Sequence, residues 1–239
     1  RIKNPELVDA SLKYCTNCKR CEIACPSDVK IAELIQNAKW NYLKVNWFRP
    51  RDWFMSRTDL VGSIATRMSL LTNFVLKIRA VRVFMYLLLR IPYRRTFPAY
   101  ESSTFEKVFK KTIAPSQKDY EKRVVYFHGC FVNYNNHSLG RDFVKVMNAL
   151  GYGIDIMKEK CCGVPLIANG YLEKARKNAS YNINSLQSAE EGKRIVTTSS
   201  SCAFALKYEY SSFLELDNSK IFERTDYVTR FISREFTSG

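Results

Sequence analysis

Four cysteines, Cys15, Cys18, Cys21 and Cys25, fall within eleven positions, separated by two, two and three residues, with Pro26 directly behind the last. Thiolates at that spacing suit a cubane iron–sulfur cluster. A short loop wraps three of them round one corner, a departing segment carries the fourth, and the proline keeps that segment from folding straight back. Structural zinc asks for paired thiols in hairpins well separated in sequence, and this chain offers no second pair at a matching distance. In proteins with two such runs the fourth cysteine ligates the other cluster. No second run is present here, so Cys25 is either the fourth ligand of its own cluster or a ligand of one completed elsewhere.

The remaining four cysteines, Cys130, Cys161, Cys162 and Cys202, are scattered, and the elements around them explain why they matter. From Arg123 onward, continuous apolar runs alternate with helical patterns. Val124–His128 reads as a buried strand, His137–Leu150 as a helix, Ile154–Met157 as a second strand, and 172–190 as a helix. Arg194–Thr198 reads as a third strand, followed by a helix over Ala203–Phe213. Such alternation predicts a parallel sheet covered on both faces. Cys130 follows the first strand, Cys161 and Cys162 the second, and Cys202 the third. Parallel topology brings these strand ends to one edge, where such folds place ligands. The competing reading, four buried cysteines acting as small hydrophobes, requires all four to reach that edge by chance. His128 is expected to hydrogen-bond within this site rather than ligate. His137 is expected to be an ordinary helix-start residue.

Upstream, Pro5–Leu12 is expected to be a short helix that leads into the cysteine run. After Pro26, Ser27 and Asp28 can cap a helix whose apolar positions Ile31, Leu34, Ile35 and Ala38 continue to about Val45. Trp40, Tyr42, Trp47, Phe48, Trp53 and Phe54 then crowd around Arg49-Pro50-Arg51. Stacking on bases would use such residues, but a domain junction or a membrane interface uses them more often. From Ser63 to Ile91 no residue breaks a helix. Leu70, Phe74, Ile78, Val81, Phe84 and Leu88 form one stripe, with Arg79, Arg82 and Arg90 grouped away from it. That helix is too interrupted by charge to span a bilayer. It is expected to lie on anionic lipid or to pack on its own domain or a neighbouring subunit. The polar stretch 94–122, with Pro98 and Pro115, reads as a linker. Three segments result: 1–48 as the cluster segment, 49–122 as a basic helical connector expected to associate with membranes, and 123–239 as the α/β domain.

Composition narrows the partners. The net charge of +15 calls for an acidic partner, and its distribution is uneven: Leu60–Tyr100 contains no Asp or Glu but seven Arg and Lys. Hydrophobic residues make up 46% of the 239, as in a globular protein with a sizeable core. Four thiols this close cannot form a disulfide ladder, so the eight cysteines read as metal ligands in a reducing compartment. The opening Arg1-Ile2-Lys3 lacks an apolar signal region and suggests residues missing upstream. No glycine-rich dinucleotide fingerprint opens a helix, which places flavin or nicotinamide on a partner.

His128-Gly129-Cys130, Cys161-Cys162-Gly163 and Ser200-Ser201-Cys202 resemble the CCG cysteine-rich domain, found in heterodisulfide reductases and in electron-transfer subunits of several dehydrogenases. The longer motifs 12–15, 127–135 and 160–170 resemble the iron–sulfur subunits of anaerobic glycerol-3-phosphate dehydrogenases. That resemblance implies a ferredoxin-type 4Fe-4S segment, a second iron–sulfur cluster at Cys130, Cys161, Cys162 and Cys202, and a flavin-containing dehydrogenase partner. It further implies electron delivery to menaquinone from the cytoplasmic face of the bacterial inner membrane, with the chain held there peripherally. Family members carry two ferredoxin-type runs and two CCG domains; this chain has one of each and resembles the middle portion. Cys25 would then serve the upstream cluster. A complete CCG motif ends with a further cysteine where this chain has Ala205, which leaves four thiolates, enough in number for a cubane. The alternative function is disulfide reduction at the CCG site, as in the reductase relative, and Ala205 argues against it. A zinc-stapled nucleic-acid module fits only the charge, and no nucleic-acid partner is expected.

Overall fold

The computed structural model describes residue 12 and residues 15–45, 50–189 and 192–237. The expected lead-in helix over Pro5–Leu12, and Trp47 and Phe48, lie outside the described residues apart from Leu12.

A four-stranded, wholly parallel sheet organises the second half, in the order β2-β1-β3-β4: β1 Lys122–Phe127, β2 Tyr152–Asp155, β3 Arg194–Thr197 and β4 Thr225–Tyr227. The expected strands and intervening helices are present, and the fold is mixed α/β. β4 is an addition: three residues long, it is too short for periodicity to reveal. Successive side chains of a strand point to opposite faces, so β1 feeds two cores. Val125 and Phe127 pack with Ile195, Leu166, Ile167, Ala175 and Leu206 on one face, and that core includes Cys161, Cys162 and Cys202. Val124 and Tyr126 pack with Phe105, Phe143, Met147, Val196 and Phe231 on the other.

The stretch expected to be a linker is partly core. After an irregular 94–104 it forms a helical turn Phe105–Val108, a π turn Phe109–Ile113 and a 3-10 turn Ala114–Gln117. Phe105 is 0% exposed, with ring centroids 6.2 Å from Tyr126, 5.6 Å from His128 and 5.8 Å from His137. Gln117 Oε1 accepts the Ile154 N–H at 3.1 Å. Two aromatic anchors four residues apart outweigh the turn-forming prolines that flank them.

Before the sheet come α1 Arg20–Ile23, α2 Ile31–Val45, α3 Pro50–Ser56, α4 Thr58–Arg67, α5 Ser69–Lys77 and α6 Arg79–Leu89. The single helix expected over Ser63–Ile91 is therefore three. The chain turns at Met68 and again at Ile78, whose ψ of 120° is extended. Propensity allowed one helix, but folding back buries Ala65, Thr66, Ser69 and Ile91 against neighbouring elements, and packing prevails over propensity. Asn73 on α5 fixes the return segment by donating to Tyr100 O at 2.9 Å and accepting from Tyr100 N at 2.8 Å. The apolar stripe ends outward: Leu70, Phe74, Phe84, Leu87 and Leu88 are each at least 60% exposed. Arg79 and Arg90 are exposed and Arg82 is half-buried. Among the described residues no helix is long and apolar enough to cross a membrane.

Candidate metal centre

Cys130 sits in the first turn of α8 Gly129–Tyr134, at the carboxyl end of β1; Cys202 sits in the first turn of α12 Ser200–Phe204, beyond β3. These two strands are neighbours, and the chain leaves them toward opposite flanks, which is the switch point where parallel sheets open a crevice. Cys161 and Cys162 arrive from β2 and lead into α10 Val164–Ala168. The four thiols meet there. Cys130 and Cys162 both lie beside Cys161, and Cys202 lies beside Cys162.

The backbone is shaped for that meeting. Gly129 has φ +73°, and a Cβ there would stand 3.2 Å from Cys202 Sγ; Gly163, with φ +96°, turns the chain out of the cysteine pair. Glu159 accepts from Gly129 N at 2.6 Å and from His128 N at 3.2 Å, and pairs with His128 Nδ1 at 2.9 Å. Burial alone would push the His128 imidazole down, but the Glu159 carboxylate outweighs it and the net direction is up. His128 thus holds the β1 exit from behind, and His137 opens α9 His137–Ala149, each in its expected role.

Electrostatics defines what the pocket can hold. The neighbouring Cys130 and Cys162 thiols, together with the Gly163 N–H, hold Cys161 well below the usual thiol range. Cys161 in turn, together with burial, pushes Cys130 and Cys162 well above it. Buried anions in contact repel one another, so thiols this close do not all ionise without a compensating positive charge. Asp59, whose carboxylate accepts the Cys161 N–H at 2.8 Å, is pushed up to about 7 by burial and by the Cys161 charge. Four soft sulfur donors brought to one buried point fit an iron–sulfur cluster. The Thr58 hydroxyl is a second sign of fit: it is buried beside Cys130 and Cys161 without a well-formed hydrogen bond. Among the described residues no three His, Cys, Asp or Glu side chains are arranged to hold a metal ion. A cluster poses a different demand, since its thiolates go to separate irons rather than converging on one.

The amino-terminal run lies against this domain. Cys15 and Cys25 are half-buried, whereas Cys18 and Cys21 are exposed. Gln36 Nε2 lies 3.5 Å from Cys15 Sγ, and Glu22 accepts the Ala32 and Glu33 N–H groups at the start of α2. Asn17 donates to the buried Glu209 at 2.6 Å. Lys39 donates to both Cys15 O at 2.7 Å and Ala168 O at 2.9 Å. Lys39 therefore bridges the loop to the element after Cys162, and Asn17 touches the one that carries Cys202: α12 continues through a π turn Ala205–Glu209 into Tyr210–Ser212. Seven helical steps, roughly 10 Å of rise, separate Cys202 from Glu209.

Residues 124–207 match the CCG cysteine-rich domain family. Over its whole length the chain is 44% identical, across 244 aligned residues, to a subunit of the anaerobic glycerol-3-phosphate dehydrogenase of Escherichia coli K12, and it spans 61% of that relative's length. An uncharacterized iron–sulfur protein of Methanococcus maripaludis is 24% identical over 87% of this chain and 35% of its own. Lactate utilization protein A 1 of Bacillus anthracis is 27% identical over 47% of this chain and half of its own. No solved structure matches.

Sequence reasoning placed the CCG-domain cysteines but missed their support. Thr58 and Asp59 come from α4, about a hundred residues upstream. Asn178 and Asn182, four apart on α11 Leu172–Gln187, clamp the backbone of Lys160 and Cys161 at 2.8 to 3.3 Å. The asparagine pair carried a faint signal, polar side chains at helix positions that the pattern makes buried.

Proposed function

We propose that the chain is an electron-transfer module. A 4Fe-4S cluster at the ferredoxin-type run takes ligands from Cys15, Cys18 and Cys21, and Cys25 serves that cluster or an adjoining one. A second cluster is held by Cys130, Cys161, Cys162 and Cys202 of the CCG domain. Electrons come from a flavin-containing dehydrogenase subunit that oxidises glycerol 3-phosphate and leave for menaquinone. The clusters would supply one-electron storage; the protein positions their thiolates, excludes water from the CCG-domain site, and docks one site against the other. The observation that carries this reading is the Asn17–Glu209 and Lys39–Ala168 docking, which ties the exposed thiol loop to both elements that lead from the buried thiols.

Cys18→Ser tests the relay. In dithionite-reduced protein it should remove one of two electron paramagnetic resonance signals while leaving the other; two unchanged signals would show that the run holds no cluster.

The exposed Leu70, Phe74, Phe84, Leu87 and Leu88, beside Arg79 and Arg90, suit peripheral attachment to anionic lipid at the cytoplasmic face of the inner membrane. Replacing Arg79, Arg82 and Arg90 with Glu should abolish sedimentation with phosphatidylglycerol vesicles. Undiminished sedimentation would assign this face to a protein partner instead.

A further inference from the structure

A cavity of about 330 Å³ lies between α4, α5, α6, the 95–100 segment and α8, and the relay reading does not account for it. Of its lining residues Arg95 alone is charged, and most walls are apolar, Val61, Ala65, Leu76 and Met85 among them. Its volume is within the low end of the range for small-molecule sites, about 300–1,000 Å³. Polar groups gather toward one end: Cys130 and Tyr134 stand four apart on α8, Thr58 stands four before Gly62, against which the Tyr134 ring is seated, and the Glu101 N–H donates to Tyr134 O, which brings Tyr100 alongside. The Thr58 hydroxyl is buried without a well-formed hydrogen bond. Tyr134 is seated so closely on Gly62 that a Cβ there would stand 2.4 Å from its ring, and Asn73 pins Tyr100 from both sides of its backbone. Helices α5 and α6 contribute Leu76 and Met85 to the cavity while exposing Leu70, Phe74, Phe84 and Leu88 outward.

We propose that this cavity binds the ring of a lipid-soluble quinone, with its oxygens toward the hydroxyl-bearing end beside Cys130 and its tail leaving along α5 and α6. The choice of a redox-active ring rests on the relay reading. The apolar walls select a molecule that partitions from lipid, and the donors at one end select a ring with acceptor oxygens over a plain hydrocarbon chain. The pair α5–α6 has one face on the cavity and another fit for lipid, so the ligand need not cross water.

Binding is read by quenching of the fluorescence of heptyl-hydroxyquinoline N-oxide, an analogue that does not alkylate thiols, titrated into the iron-loaded full chain. Ala65→Phe, which fills the cavity, should weaken binding at least about tenfold, on the scale of one lost buried anchor. Tyr100→Phe keeps the ring, removes one donor, and should weaken it about fivefold, the value of one hydrogen bond. The second variant serves if the first does not fold. Equal affinity in wild type and both variants, or no quenching at all, overturns the proposal. Displacement by laurate as readily as by decyl-ubiquinone also overturns it, since the cavity would then be an acyl-chain site. The two readings fail separately. Clusters that reduce with dithionite and reoxidise with ferricyanide while the analogue ignores both variants sink the cavity and leave the relay. Variant-sensitive binding in a chain that takes up no iron sinks the relay and leaves the cavity.

Discussion

Replacing Glu159 with alanine is expected to destabilise the protein by about 3–5 kcal/mol, the cost of breaking a buried ion pair from one side. Its carboxylate is 7% exposed and serves three groups: the N–H of His128, the N–H of Gly129 and the His128 ring. Alanine leaves two buried backbone donors without an acceptor and the imidazole with only the Gly129 carbonyl, 3.3 Å away, and the penalty falls on the turn that aims Cys130. Iron bound at the CCG domain should fall with stability, whereas the signal from the amino-terminal run should survive. Glu159→Gln, which keeps one acceptor oxygen, should lie between. Urea denaturation checks the first part and spin quantification the second. A midpoint for Glu159→Ala within about 0.5 kcal/mol of wild type, the range of an ordinary surface change, would mean that the β1 exit is held by something else.

The other large effect belongs to Phe105. Truncation to alanine is expected to cost about 3–5 kcal/mol, as for a fully buried aromatic. Its ring fills the space over Gly140, where a Cβ would stand 2.5 Å away, and it meets Tyr126, His128 and His137 edge-on or tilted. Phe109→Ala, at 3% exposure, should follow with a smaller loss. If both variants unfold at the wild-type urea midpoint, residues 105–117 are a tether after all, and the aromatic contacts carry no stability.

These two residues mark where the sequence stopped being legible. The parallel sheet was readable because β1 and β3 are continuous apolar runs with helices between them, and right-handed parallel connections leave few ways to arrange such a string. Topology then turned scattered cysteines into one site without any side-chain information. Phe105 was not readable: an isolated aromatic in a polar stretch with prolines has no periodicity, and its burial is set by Gly140 and Tyr126, far away in sequence. Glu159 and Asp59 were hidden for a related reason. A carboxylate that serves backbone N–H groups leaves the same trace in a sequence as a solvated one. The break-up of 63–91 into three helices had no breaker to announce it. Exposure decided what periodicity left open there, since the same stripe serves a core or a lipid surface and only the fold shows Leu70 and Phe74 turned outward.

The cysteine run changed least in identity and most in context. Its spacing alone pointed to cluster chemistry. What the fold adds is a neighbour: Asn17, lodged at φ 59° between Cys15 and Cys18, reaches the buried Glu209 on the helix that bears Cys202. A loop that only chelated a metal would have no need of that contact.

The most direct test of two iron–sulfur sites in this chain is anaerobic purification with iron, acid-labile sulfide and zinc quantified in the same sample. The account predicts iron and sulfide in equal amounts, in excess of a single cubane, with negligible zinc. Stoichiometric zinc in a colourless protein without sulfide would contradict it.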